Sequence, residues 1–304
     1  MSVQTHDLAI GRDRLIGHLA MILFASLIAG SFSLGALTTP YIGAAALNSV
    51  RFLIGAAIML GFSLAVARSQ LRWPVAPWRF AVLGALMAVY FVTMFIALQF
   101  THPVATGAMF TLIPLMSAGF GLVFLGQKPS GIVMVSLVIA GLGAVWVIFR
   151  GDIDAILGFD IGKGEMIFFF GCVGHAAYAP LVRKFRRGEP LVVMSFWTLL
   201  SIAVWVTLYG AGEIMATDWA AIPLFVWACI AYLAIFATAG TFFLLQLGSV
   251  RLPAAKVLAY GYLTPSFVIL IEGLSGRGWV SPAVIMGSLV SAVGLFILFF
   301  TKDQ

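Results

Sequence analysis

Lys256, Tyr260 and Thr264 recur four residues apart within a nearly apolar stretch, Pro253 to Glu272. On a helix that spacing stacks them on one face. An ammonium, a phenol and a hydroxyl in line would hold the carboxylate or the ring of a small solute. Tyr262 points roughly the opposite way. Pro265, in the same stretch, cannot donate to the carbonyl of Gly261, so the helix is weakened where its polar groups gather. His175 and Tyr178 are three residues apart and flanked by Gly171, Gly174 and Ala177. Small neighbours allow close helix approach or leave cavity space, and a histidine titrates near physiological pH when unperturbed, which suits proton coupling. Tyr90 and Met94 share a face, as do Tyr232 and Phe236. Arg51, with Asn48 one turn before it, lies in another apolar run and should face the protein interior. Glu272 is its expected counter-charge.

These residues form a binding constellation rather than a reaction centre. The chain has no H-E-x-x-H, and Cys172 and Cys229 stand alone in apolar runs, without metal spacing or a disulfide framework. Gly158 to Gly164 superficially resembles a phosphate loop, but it has three residues between the glycines and no Ser or Thr after Lys163. We expect no metal, no cofactor and no enzymatic activity. Without an ATP site, movement of a solute would draw on a gradient.

The elements that must position these groups are membrane helices. The 304 residues are 62% hydrophobic and only 9% charged, against about 25% charged in soluble domains. Ten apolar runs are long enough to cross a bilayer: 16–38, 43–66, 79–100, 103–125, 131–149, 164–183, 191–211, 222–247, 253–272 and 280–301, here called spans 1 to 10. Span 1 reads as a retained helix rather than a cleaved signal. Turn-forming pairs such as Trp73-Pro74, His102-Pro103 and Ser281-Pro282 punctuate the connections. The net charge of +6 comes from basic residues scattered over short loops, which argues against a nucleic-acid partner and for orientation in a membrane. Thirteen of the 17 basic residues fall on the side of the N-terminus and three on the other, which predicts both termini in the cytoplasm.

The two halves repeat. Gly17 and Gly164, and likewise Gln99 and Gln246, are offset by 147 residues; Pro114 and Pro265, and likewise Gly143 and Gly294, by 151. Five spans per copy turn the second copy upside down, a plan that places the binding site near the midplane where the copies meet. The expected fold is thus an all-α integral membrane protein of ten transmembrane helices in two inverted five-helix repeats. A tail at 1–15 precedes the first repeat at 16–150, a connection at 151–163 follows, and the second repeat occupies 164–304. Matched placement marks Pro114 and Pro265 as hinges. Spans 5 and 10 carry small-residue spacings, Ala140/Ala144 and Ser288/Ala292, suited to tight packing or to a homodimer.

The 5+5 plan, the glycine-starting spans 1 and 6 and the two Pro…Gly blocks resemble the drug/metabolite transporter superfamily, EamA type, and among its members the bacterial exporters of amino acids, including aromatic ones. The pattern departs from the family where a Gly-Glu pair is usual after spans 4 and 9: Gly126-Gln127 and Arg277-Gly278 stand there. The resemblance implies a secondary transporter of the bacterial inner membrane that exports small organic solutes by alternating access around a cavity between spans 1–4 and 6–9. Tyr90, His175, Tyr178, Lys256 and Tyr260 are the candidate cavity residues. Drugs, nucleotide-sugars or other metabolites are the alternative solutes. A membrane-embedded enzyme is the remaining class, but His175 has no carboxylate partner on its own helix face.

Overall fold

The computed structural model describes residues 12–249, 251–252 and 254–299, without the side chains of Gln246, Ser249, Ala254, Ala255, Lys256 and Phe299. Among these residues the chain is all-helical. Nine helices are long and apolar enough to cross a bilayer, and a shorter apolar one follows. Hydrocarbon offers the backbone no hydrogen bonds, so each apolar run satisfies its own as a helix.

Span 1 is Arg12–Thr38, span 2 Ala44–Val66, span 3 Trp78–Ala97, span 5 Gly131–Ile148, span 6 Lys163–Phe185, span 7 Leu191–Tyr209 and span 10 Pro282–Phe299. The other three are broken. Span 4 is Pro103–Phe110 followed by Ile113–Leu125. Span 9 is Ala254–Ala259, a 3₁₀ turn at Tyr260–Leu263, then Thr264–Leu274. Span 8 carries a π-helical turn, Ile235–Gly240, between Leu224–Ala234 and Thr241–Ser249. Pro114 and Pro265 each sit in the first turn of the second half of their span. There the missing N–H costs no ladder bond, so the chain breaks just before each proline instead of kinking at it.

The helix contacts obey a two-fold rule. Span 5 packs on span 10 and span 2 on span 7, each a pair of symmetry mates. Span 3 packs on span 6, and its counterpart is span 1 on span 8; the second half of span 4 lies on span 6 as that of span 9 lies on span 1. Glycines permit the close approaches. Gly174 of span 6 lies against the Leu86 carbonyl of span 3, which a Cβ would meet at 3.1 Å. The small residues of spans 5 and 10 meet within the one chain: Ser291 Oγ donates to the Ala140 carbonyl at 3.1 Å and Ser136 Oγ to that of Gly294 at 2.7 Å. A second copy would have to use their outward faces, where Leu142 and Phe296 are exposed.

Charged side chains tie the helix ends. On the side where span 2 begins, Glu213 from the short helix Ala211–Ala216 that follows span 7 accepts from the Ala46 amide at 2.7 Å. It supplies the cap that Gly43 lacks, and a side chain at Gly43 would collide with that carboxylate. On the same side Glu272 pairs with Arg277 at 3.1 Å and lies 3.8 Å from His102, while Arg277 Nη1 donates to the Ser33 carbonyl at 3.1 Å. The expected Arg51–Glu272 pair is therefore corrected: the connection after span 9 brings Arg277 to Glu272 first. On the opposite side Arg79, 1% exposed, pairs with Glu189 at 2.6 Å and also donates to the carbonyls of Val75 and Phe185.

Burial alone would raise the Glu189 pKa. Hydrogen bonds from Arg79 and from the Arg187 amide, with the Arg79 charge, outweigh it and hold the carboxyl below the ordinary glutamate value. A depressed folded-state pKa adds stability above the unfolded glutamate pKa, and that stability is lost as pH falls through the folded value. Thermal midpoints of wild type and Glu189→Gln are accordingly expected to differ at neutral pH and to converge under acid. Equal midpoints at neutral pH would show that the pair adds nothing.

Candidate functional site

A cavity of about 420 Å³ runs through the centre of the bundle. Its lining comes from spans 1–4 and 6–9 and, among the described residues, includes none of spans 5 or 10. It reaches Val182 at the end of span 6 and Leu191 at the start of span 7, on the side where span 1 begins. Toward the other side the bundle is packed: Phe95, Leu98 and Phe168 are 1%, 5% and 0% exposed. The cavity thus approaches one face only. A second hollow, of about 400 Å³, lies at the surface between the 1–2 and 7–8 connections and contains none of the predicted residues.

Most of the wall is apolar and aromatic. The His175 ring lies 4.7 Å from that of Tyr90, 5.9 Å from Phe110 and 6.2 Å from Tyr178. Phe110 in turn lies 6.0 Å from Phe32, edge to face. Spans 3 and 6 can bring Tyr90 and His175 together because Gly171, one turn before His175, rests on the backbone of Tyr90. Ser31, Ser195, Thr198, Thr238 and Thr241 supply hydroxyls to the lining. Several are already committed, Thr198 to the Met194 carbonyl at 2.8 Å and Thr241 to that of Thr238 at 3.1 Å. Arg51 closes the deep end. Among the described residues, two buried wall atoms have no hydrogen-bond partner, His175 Nδ1 and Arg51 Nη1.

Of the predicted residues, Tyr90, His175, Tyr178 and Pro114 line this cavity together. Tyr260 does not. Its hydroxyl is hydrogen-bonded to His18 Nδ1 of span 1 at 2.6 Å, and it packs with Met21, Leu137 and Leu252. On span 9 the cavity is lined by Val257, Leu258 and Gly261, and not by Tyr260 or Thr264. A phenol at membrane depth needs a partner, and here another helix supplies it instead of a cavity. The Lys256 side chain lies outside the described residues. Pro265 stands behind the wall, near Gly107 of span 4.

Several wall residues were not singled out from the sequence. Phe32, Phe91, Phe110 and Phe242 carried no distinguishing signal among 26 phenylalanines. Ser195 and Thr198 of span 7 do stand out in the sequence as a polar pair one turn apart, but from the sequence alone they read as packing and not as cavity lining. Gln127, at the departure from the family's Gly-Glu, sets its carboxamide against the Arg183 guanidinium, and the hydrogen-bonding chemistry of that pair assigns the amide oxygen to the side facing the cation. A glutamate there would face the same partner.

A ten-helix membrane bundle with a central, one-sided, aromatic-walled cavity defines a class, that of small-solute carriers. The model of the EamA-like transporter family matches the chain twice, over residues 15–149 and 162–300. The chain belongs to that family. An uncharacterized transporter of Bacillus subtilis strain 168, YyaM, is 27% identical over 260 residues, covering 83% of this chain and 84% of its own. A crystal structure of a protein 20% identical superposes with a TM-score of 0.67, covering 94% of this chain and 96% of the other. At that identity the likeness speaks to the fold alone.

Proposed function

We propose that this transporter exports small organic solutes, amino acids and among them aromatic ones, across the bacterial inner membrane by alternating access. The observation that carries the reading is the cavity itself, apolar and aromatic over most of its wall, with a few polar groups and a single approach. Such a site suits a small solute with an apolar body and a polar head. The bias of basic residues toward the side of span 1's start supports cytoplasmic termini. In that orientation the cavity faces the cytoplasm, the loading state of an exporter. Tyr90, His175 and Tyr178 form its midplane wall, and the breaks before Pro114 and Pro265 are the points at which spans 4 and 9 bend. Proton coupling would fall to His175.

Uptake of labelled amino acids into proteoliposomes tests this. Phenylalanine or another apolar amino acid is expected to accumulate above protein-free liposomes, and Tyr90→Ala to slow it while leaving the protein folded. Failure of every amino acid to move would remove the substrate assignment. Unchanged uptake by Tyr90→Ala would remove the wall from the path.

A further inference from the structure

The deep end of the cavity holds a buried cation with no counter-charge among the described residues. Arg51 is 1% exposed. Nε donates to Thr238 Oγ1 at 2.9 Å and Nη2 to the Ala237 carbonyl at 3.3 Å, both within the π-helical turn of span 8. That turn shifts the backbone ladder by one residue, and such turns recur at functional sites. The ring of Phe91 lies 4.6 Å from the guanidinium carbon and that of Phe52 5.2 Å, so ring faces offset part of the desolvation. Nη1 has no hydrogen-bond partner among the described residues. Among the described residues no carboxylate pairs with Arg51, and the cavity lining contains no Asp or Glu. A charge at this depth needs an opposite charge.

We infer that Arg51 determines the specificity of the cavity by receiving the carboxylate of the solute, and that the site recognises this carboxylate and not an ammonium group. The inference rests on the transport reading above and narrows its substrate class to carboxylates with an apolar or aromatic body. An amino acid brings two charged groups, and the wall treats them unequally. The carboxylate completes the donor set of Nη1 in a charge-assisted bond. The ammonium meets hydroxyls, ring faces and the neutral His175 ring, but no carboxylate among the described residues. A monocarboxylate without the amino group therefore binds about as well as the amino acid, and an amine without the carboxylate does not. Arg51 is sealed at the narrow end in this state, so the carboxylate reaches it as the floor rearranges between the two access states.

Calorimetric titration of the purified full chain with phenylalanine, 3-phenylpropanoate and phenethylamine tests the inference. In wild type the two carboxylates are expected to bind with similar affinity and phenethylamine at least about tenfold more weakly, the factor typical of a hydrogen bond to a charged group. Equal binding of phenethylamine, or no binding by either carboxylate, overturns it. This comparison needs no variant to fold. In Arg51→Gln the preference for carboxylate is expected to disappear, and its persistence in a folded variant also overturns the inference. The two readings fail separately. If both carboxylates bind through Arg51 but neither phenylalanine nor 3-phenylpropanoate enters proteoliposomes, transport is wrong and the anchor stands. If phenylalanine is transported and phenethylamine competes equally, transport stands and the anchor falls.

Discussion

Gly143→Val and Gly294→Val are expected to prevent stable folding rather than to slow transport. A Cβ at Gly143 would lie 2.5 Å from the amide nitrogen of Ser291 and 2.6 Å from the carbonyl oxygen of Gly287, both main-chain atoms of span 10. At Gly294 it would lie 2.9 Å from the Ser136 carbonyl oxygen and 2.9 Å from Ala140 Cβ in span 5. Backbone cannot rotate aside as a side chain does, so the two helices must separate. Separation breaks the bonds from Ser291 to Ala140 and from Ser136 to Gly294. Overpacking of this kind costs about 3 kcal/mol or more, a large share of the stability of an ordinary domain. Detergent-extracted protein should show a lower thermal midpoint and loss of the monodisperse species. Gly121→Val is the control, since nothing lies within 4 Å of a Cβ there. Wild-type midpoints for both interface variants would mean that spans 5 and 10 do not pack as described.

The double variant Pro114→Ala, Pro265→Ala is expected to show the opposite pattern, slowed transport in a protein at least as stable. Alanine restores a backbone donor opposite the carbonyls of Phe110 and Gly261 and lets spans 4 and 9 continue through their breaks. Each restored bond contributes about 1 kcal/mol net. If both must open whenever the spans bend, the barrier rises by about 2 kcal/mol, which slows turnover roughly thirtyfold. Initial uptake rates and thermal midpoints measured on the same preparations check this. Wild-type rates would mean that the breaks are static.

What the amino-acid sequence conveyed well was set by the bilayer. Ten apolar runs could only be helices, and their observed ends lie within a few residues of the runs, because lipid leaves the backbone no alternative. Pro114/Pro265 and Gly143/Gly294 marked the two halves, and both pairs sit at equivalent points, the first at helix breaks and the second at the span 5–span 10 contact. What it conveyed poorly was partner choice. Tyr260 has the spacing of a cavity residue and finds His18 of span 1 instead. Arg51 was expected beside Glu272 and is held by a π-helical turn that no residue pattern announces. A straight-helix wheel predicts which residues share a face, but not which neighbour that face meets.

Passage of solute through the cavity is tested most directly by blocking it chemically. Ser195 lines the wall, and Ser195→Cys places a thiol there with little change in volume. The background is Cys172→Ala, Cys229→Ala, which removes both native thiols. Proteoliposome uptake of phenylalanine is measured before and after reaction with a bulky thiol reagent, with the extent of modification read by intact mass. The expected result is uptake that is retained before modification and falls to the level of protein-free liposomes afterwards, with phenylalanine slowing the modification itself. Undiminished uptake by fully modified protein would contradict a route through this cavity.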